Sequence, residues 1–129
     1  MSTLQVTALK SHSSGAPTFH NSSGTEKGQL CKAWIKTEGA SATILDSFGF
    51  SSMTDHGTGQ MTFTFSNAMS SVNYCVVGAH AQGSRTNPNK FWWVKEADIA
   101  TGSFRTEVNT GTGGLADLGK YYCAVFGDQ

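Results

Sequence analysis

Apolar and polar residues alternate along most of this chain with a period of two, not the 3.6 of a helix. The clearest run is Gln60-Met61-Thr62-Phe63-Thr64-Phe65, where Met61, Phe63 and Phe65 share one face and the threonines take the other. Shorter runs of the same kind fall at 33–36, 42–46, 48–54, 74–79, 90–95 and 103–108. The closing run, Lys120-Tyr121-Tyr122-Cys123-Ala124-Val125-Phe126, is more continuously apolar and reads as a central strand buried on both faces. Nowhere do apolar residues recur at i, i+3, i+4 and i+7. Turn formers separate the runs. Asp55-His56-Gly57-Thr58-Gly59 supplies the glycines and Asp of a hairpin loop, 66–73 reads as a turn-rich connection, and 80–89 reads as an exposed polar loop. The pattern predicts an all-β chain, an antiparallel β-sandwich or jelly-roll-like domain of seven or eight short strands, with no room for βαβ units.

Residues 1–30 read differently from residues 31–129, which hold the predicted sandwich. Leu4, Val6 and Leu9 lie in a strand-like stretch, but the segment from 11 to 28 is polar and punctuated by Gly15, Pro17 and Gly24. Too few apolar groups are present there to form a core alone. The segment therefore reads as an N-terminal attachment and assembly arm that gains order by adding its strand to another chain. The plainer alternative is a frayed terminus.

Composition narrows the function classes. Ser, Thr and Gly make up more than a third of the chain, which suits strands and tight turns. Nine basic residues balance nine acidic ones, so no excess of basic charge points to nucleic acid or to an anionic membrane surface. No apolar run approaches the roughly 18 residues of a membrane span, and the first residues lack the basic and apolar regions of a signal peptide. Cys31, Cys75 and Cys123 are odd in number and widely spaced, so they are expected to be buried free thiols in a chain made in a reducing cytoplasm.

Catalytic signatures are missing: there is no Gly-x-Ser-x-Gly, no His-Glu-x-x-His and no P-loop. Gly111-Thr112-Gly113-Gly114-Leu115-Ala116 matches a dinucleotide fingerprint by letter, but only Asp117, Leu118, Gly119 and Lys120 separate it from the apolar part of the closing strand, too few for the required helix. His56 stands beside Asp55 at a hairpin tip without a second ligand at metal spacing, and His12, His20 and His80 are equally isolated. The expectation is a binding or assembly protein without catalytic residues, cofactor or metal.

The residues best suited to binding lie together. Trp92 and Trp93 are adjacent, so in a strand they point to opposite faces: one fills the core and the other faces outward, unless both are covered in an assembly. Arg85, Asn87 and Asn89 in the neighbouring loop offer hydrogen bonds to glycans. Arg85, Asn87, Asn89 and Trp92 are the candidate receptor-binding surface, and Leu4, Val6 and Leu9 the candidate assembly arm.

The middle of the chain resembles a known family. Cys31-Lys32-Ala33-Trp34-Ile35-Lys36, the stretch Ala42-Thr43-Ile44-Leu45-Asp46-Ser47-Phe48-Gly49-Phe50-Ser51-Ser52-Met53-Thr54-Asp55-His56-Gly57-Thr58-Gly59, Thr62-Phe63-Thr64-Phe65-Ser66-Asn67-Ala68-Met69 and Asn73-Tyr74 are similar to a recurrent module of phage tail-fibre-like proteins. The lead-in around Gly15-Ala16-Pro17-Thr18-Phe19 and the ending Val125-Phe126-Gly127-Asp128-Gln129 resemble marine and cyanobacterial phage versions. The likeness weakens between about 80 and 118, where a receptor-binding surface is expected to vary. The resemblance implies a virion structural protein, homotrimeric, built in the host cytoplasm and mounted on the particle. Its partners would be further copies of itself, other phage structural proteins held through the arm, and a host-surface glycan or protein. With no large attachment domain expected before the module, the arm carries the mounting. The alternative expectation is a capsid decoration protein anchored through that arm.

Overall fold

A computed structural model describes residues 18–20, 23, 26–81 and 90–127. Among them the chain is all-β: β1 (Thr18–His20), β2 (Glu26–Gln29), β3 (Ala33–Glu38), β4 (Thr43–Phe48), β5 (Phe50–Asp55), β6 (Gln60–Phe65), β7 (Cys75–Ala81), β8 (Lys90–Val94), β9 (Ser103–Thr110) and β10 (Lys120–Phe126), with one 3-10 turn at Glu96–Asp98. Strands β3 to β10 form two antiparallel four-stranded sheets. Sheet 1 has the order β4-β3-β10-β7 and sheet 2 the order β5-β6-β9-β8. Three hairpins, β3–β4, β5–β6 and β8–β9, supply half of the six strand pairings. The first and last strands of the sandwich, β3 and β10, then pair side by side in the middle of sheet 1, from Lys120 opposite Glu38 to Val125 opposite Ala33.

Alternation decides which residues face the core. In β6, Met61, Phe63 and Phe65 are buried while Gln60, Thr62 and Thr64 face out. In β9, Phe104, Thr106 and Val108 are buried and Arg105 and Glu107 face out. Sheet 1 answers with Ala33 and Ile35 from β3 and Tyr121, Cys123 and Val125 from β10. Aromatic rings lock the layers together. Phe63 and Phe104 stack within sheet 2 at 5.1 Å, and Tyr121 of sheet 1 meets the Phe63 ring edge-on at 5.8 Å. Burial of such rings, each worth several CH₂ groups of transfer free energy, is the main stabilising contribution.

Two predicted strands need correction. The run 48–54 is not one strand, because Gly49 takes a left-handed φ of 76° and carries the chain from sheet 1 to sheet 2. Phe48 therefore ends β4 on an outer face while Phe50 begins β5 in the core. A Cβ at Gly49 would also lie 2.8 Å from the Lys32 carbonyl oxygen, so only glycine fits the crossover. The second correction is β10. It is central, but only Tyr121, Cys123 and Val125 are buried, and Tyr122 and Phe126 face out. No third layer covers them among the described residues.

Other expectations are refined. His80 and Ala81 belong to β7, so the loop predicted from 80 begins later, and Arg85, Asn87 and Asn89 lie outside the described residues. Of the three free cysteines only Cys123 is buried; Cys31 is half-buried and Cys75 is exposed. Within the predicted arm, β1 and β2 pair antiparallel, with Thr18 opposite Gln29. Leu4, Val6 and Leu9 lie outside the described residues.

Candidate functional site

Strand direction gives the sandwich two unlike ends. At one end the chain passes from residues 30–32 into β3, β10 finishes, and the crossover at Gly49 lies close by, with Lys32 N–H donating to the Val125 carbonyl (2.8 Å). The connections 66–74 and 95–102 share that end: the Met69 N–H donates to the Thr101 carbonyl, and the Tyr74 hydroxyl shares its proton between the carbonyls of Ala100 and Ser103, each 2.9 Å away. At the opposite end sit the β3–β4 turn, the β5–β6 hairpin and the glycine-rich 111–119 segment. These three are tied to one another. Gly39 N–H donates to the Gly119 carbonyl, and Gly59 N–H donates to Asp117 Oδ1 (2.7 Å). The Gly111–Ala116 stretch that matched a nucleotide fingerprint is thus a loop bridged to Asn109 of β9 through Leu115, not a strand-to-helix turn.

Strand β8 begins at this loop end and carries the aromatic residues singled out by the sequence. The parity question is resolved: Trp92 turns inward and Trp93 outward. The six-membered ring of Trp92 occupies the space above Gly78 of β7, where a Cβ would lie only 2.6 Å from it. Its Nε1 is buried and has no hydrogen-bond partner. Trp92 therefore fills the seam between the sheets. The rings that the outer face of sheet 2 presents to solvent are Phe91 (59% exposed) and Trp93 (39%). Opposite them on β9 stand Asn109 and Glu107, in register with Phe91 and Trp93 respectively.

Beside the aromatic pair runs a fixed set of charges. Lys95 Nζ lies 3.4 Å from Glu107 and 3.3 Å from Asp98, and Arg105 lies 3.8 Å from Asp98. Gln60 donates to Glu107 and accepts from Arg105. The pairing leaves both acids neutralised by cations, and the four side chains hold one another in place. Arg105 and Glu107 stand two residues apart on one face of β9; the pairing of Arg105 and Lys95 with Asp98 in the 3-10 turn has no sequence signal. His56 reaches the same face, where its Nε2 lies 2.9 Å from Thr62 Oγ1.

Two exposed rings next to paired polar groups are the kind of surface on which a sugar ring or a partner side chain can stack, with hydrogen bonds at the rim. No family model, curated protein or solved structure matches the chain. The geometry stands by itself in this respect. Among the described residues, no group of three or more His, Cys, Asp or Glu is placed to hold a metal ion. No helix among them is long and apolar enough to cross a membrane.

Proposed function

We propose that this chain is a bacteriophage virion structural protein, a tail-fibre or appendage-like homotrimer that contributes to host-surface recognition. The observation that carries the reading is the opposition of the two ends. The chain joins the sandwich from its N-terminal segment at one end, and the tied loops and the start of the aromatic strand lie at the other. An arm that mounts the domain on the particle would leave the second end pointing away from it. The balanced charge and Thr/Ser/Gly-rich surface suit recognition by stacking and neutral hydrogen bonds more than by electrostatic capture. The resemblance of the 31–74 stretch to tail-fibre-like modules supports the same reading.

The role assigns Phe91 and Trp93 to the host contact, with Asn109, Glu107 and Lys95 at its rim. Purified protein is expected to bind host cells and to slow adsorption of the phage. The double substitution Phe91→Ala with Trp93→Ala is expected to abolish both while leaving thermal unfolding close to unchanged. Full binding by that variant would exclude this face. Absence of binding by the unmodified protein to any host cell would remove the recognition role and leave an architectural one, as in capsid decoration.

A further inference from the structure

The outer face of sheet 1 is unlike an ordinary solvent face. Registered across its strands run Phe48 (β4), Trp34 (β3), Ala124 (β10) and Val77 (β7). Tyr122, Phe126 and Cys75 flank this row on the same side of the sheet. Phe48, Trp34, Val77, Tyr122 and Phe126 are each 36–60% exposed. Given the area such side chains bury when covered, they leave about 400 Å² of apolar surface open to water. A patch of that size is comparable to the largest apolar patch on a typical monomer, which is often functional, and is about half of what one partner contributes to a standard interface.

The shape of the face is as informative as its area. The small side chain of Ala124 at its centre leaves a depression of about 520 Å³ walled by Trp34, Val77 and Tyr122. Phe48, the most exposed ring on the face, stands two strands away from it, roughly 10 Å. A protruding ring and a shallow apolar depression thus lie on one surface. The charges match a copy of the same face as well. Lys36 sits over the Tyr122 ring (6.0 Å) and is in register with Asp46, and Lys120 is ion-paired with Glu38. Two cations and two anions give the face a net charge of zero, so it has no excess to select an acidic or a basic partner.

We infer that copies of this chain associate through this face, the Phe48 side chain of one copy entering the depression over Ala124 of the next. The contact joins two different parts of one surface, so it can repeat around an axis and close as a ring. Closure at three copies rests on the homotrimer of the reading above; the face itself does not.

Cys75 supplies a native reporter. It is exposed on this face beside Phe126, whereas Cys123 is buried and Cys31 is half-buried with its thiol donating to the Ala33 carbonyl. The experiment is light scattering of the full chain after size exclusion, together with maleimide labelling of Cys75 read by mass spectrometry, for the natural sequence and for Phe48→Lys and Val77→Lys. The natural protein is expected to run as an assembly with Cys75 protected, and Cys75 is expected to label on dilution. Each variant is expected to weaken association by roughly thirtyfold or more. An assembly in which Cys75 labels freely and both variants still assemble would overturn this interface and leave the homo-oligomer standing. A natural protein that stays monomeric at every concentration would overturn both. Labelling of the natural protein decides the matter even if a variant fails to fold.

Discussion

The two outer faces of the sandwich grow from the same alternation and cover the same core, yet they present opposite chemistry. Sheet 2 shows water Thr62, Thr64, Arg105 and Glu107, with a charge network at one side, and confines its exposed rings to Phe91 and Trp93 on the edge strand. Sheet 1 shows water Trp34, Phe48, Val77, Tyr122 and Phe126. An antiparallel sheet with one solvated face normally reads as apolar inside and polar outside. Sheet 2 obeys that rule. Sheet 1 breaks it along a whole row, which is costly in a chain that must stay soluble alone and natural in one that is covered. On the proposals above, the two faces would do different work: one meeting the partner copy, the other facing solvent and the host.

The largest expected break comes from alkali acting on the buried thiol and hydroxyls of the core. Burial holds the Cys123 thiol at about 12 against an ordinary 9.0, and the Tyr74 hydroxyl at about 12 against 10.0. Burial, with the nearby Asp117 charge second, raises Tyr121 further. The unfolded chain releases these protons at their ordinary values while the fold resists, so their contribution is fully present below about pH 9 and is lost as pH climbs toward 12. Thermal melts should fall steeply between about pH 9 and pH 11; a flat profile there would mean these groups are not buried as described. Next in size is Phe63→Ala, which removes the ring that both sheets share and should cost about 3–5 kcal/mol in denaturant unfolding. Phe48→Ala on the outer face should change the isolated domain by only about 0.5 kcal/mol. Equal effects would erase the distinction between faces.

Gly78→Ala tests the seam between the sheets. Its Cβ would meet two Trp92 ring carbons at 2.6 and 2.7 Å, for a loss of about 1–3 kcal/mol. Thr37→Val should move stability the other way. The Thr37 hydroxyl is buried without a hydrogen-bond partner, so replacing it with a methyl should gain about 1 kcal/mol, measured by the same unfolding. The smallest effect is expected on the outer face of sheet 2. Glu107→Gln weakens the contact with Lys95, for about 0.5 kcal/mol that should vanish at high salt.

Much of the fold was legible in the chain because a period of two leaves few alternatives. The alternation of Gln60–Phe65, the Asp55–Gly59 turn residues and the strand runs that became β3, β4 and β7 to β10 all appear where expected. What stayed illegible concerns which face an apolar residue serves. Tyr122 and Phe126 look in sequence like a second buried side of β10, since a ring awaiting a partner molecule and a ring covered by another layer read alike. Gly49 hid a change of sheet inside a run that keeps its alternation. The Trp92–Trp93 order depended on the gap above Gly78, a residue on another sheet and fourteen positions away. Of the candidate contact surface, the neighbourhood was legible but the individual ring was not.

The central claim is that one end of the sandwich mounts and the other meets the host. Cryo-electron microscopy of the intact particle tests it most directly, by locating the chain and the direction of its loop end. The account predicts threefold sets confined to the tail, with the 55–59 and 111–119 loops outermost and the outer face of sheet 1 turned toward the axis. Regular density over the capsid, or loops directed inward against the particle, would contradict it.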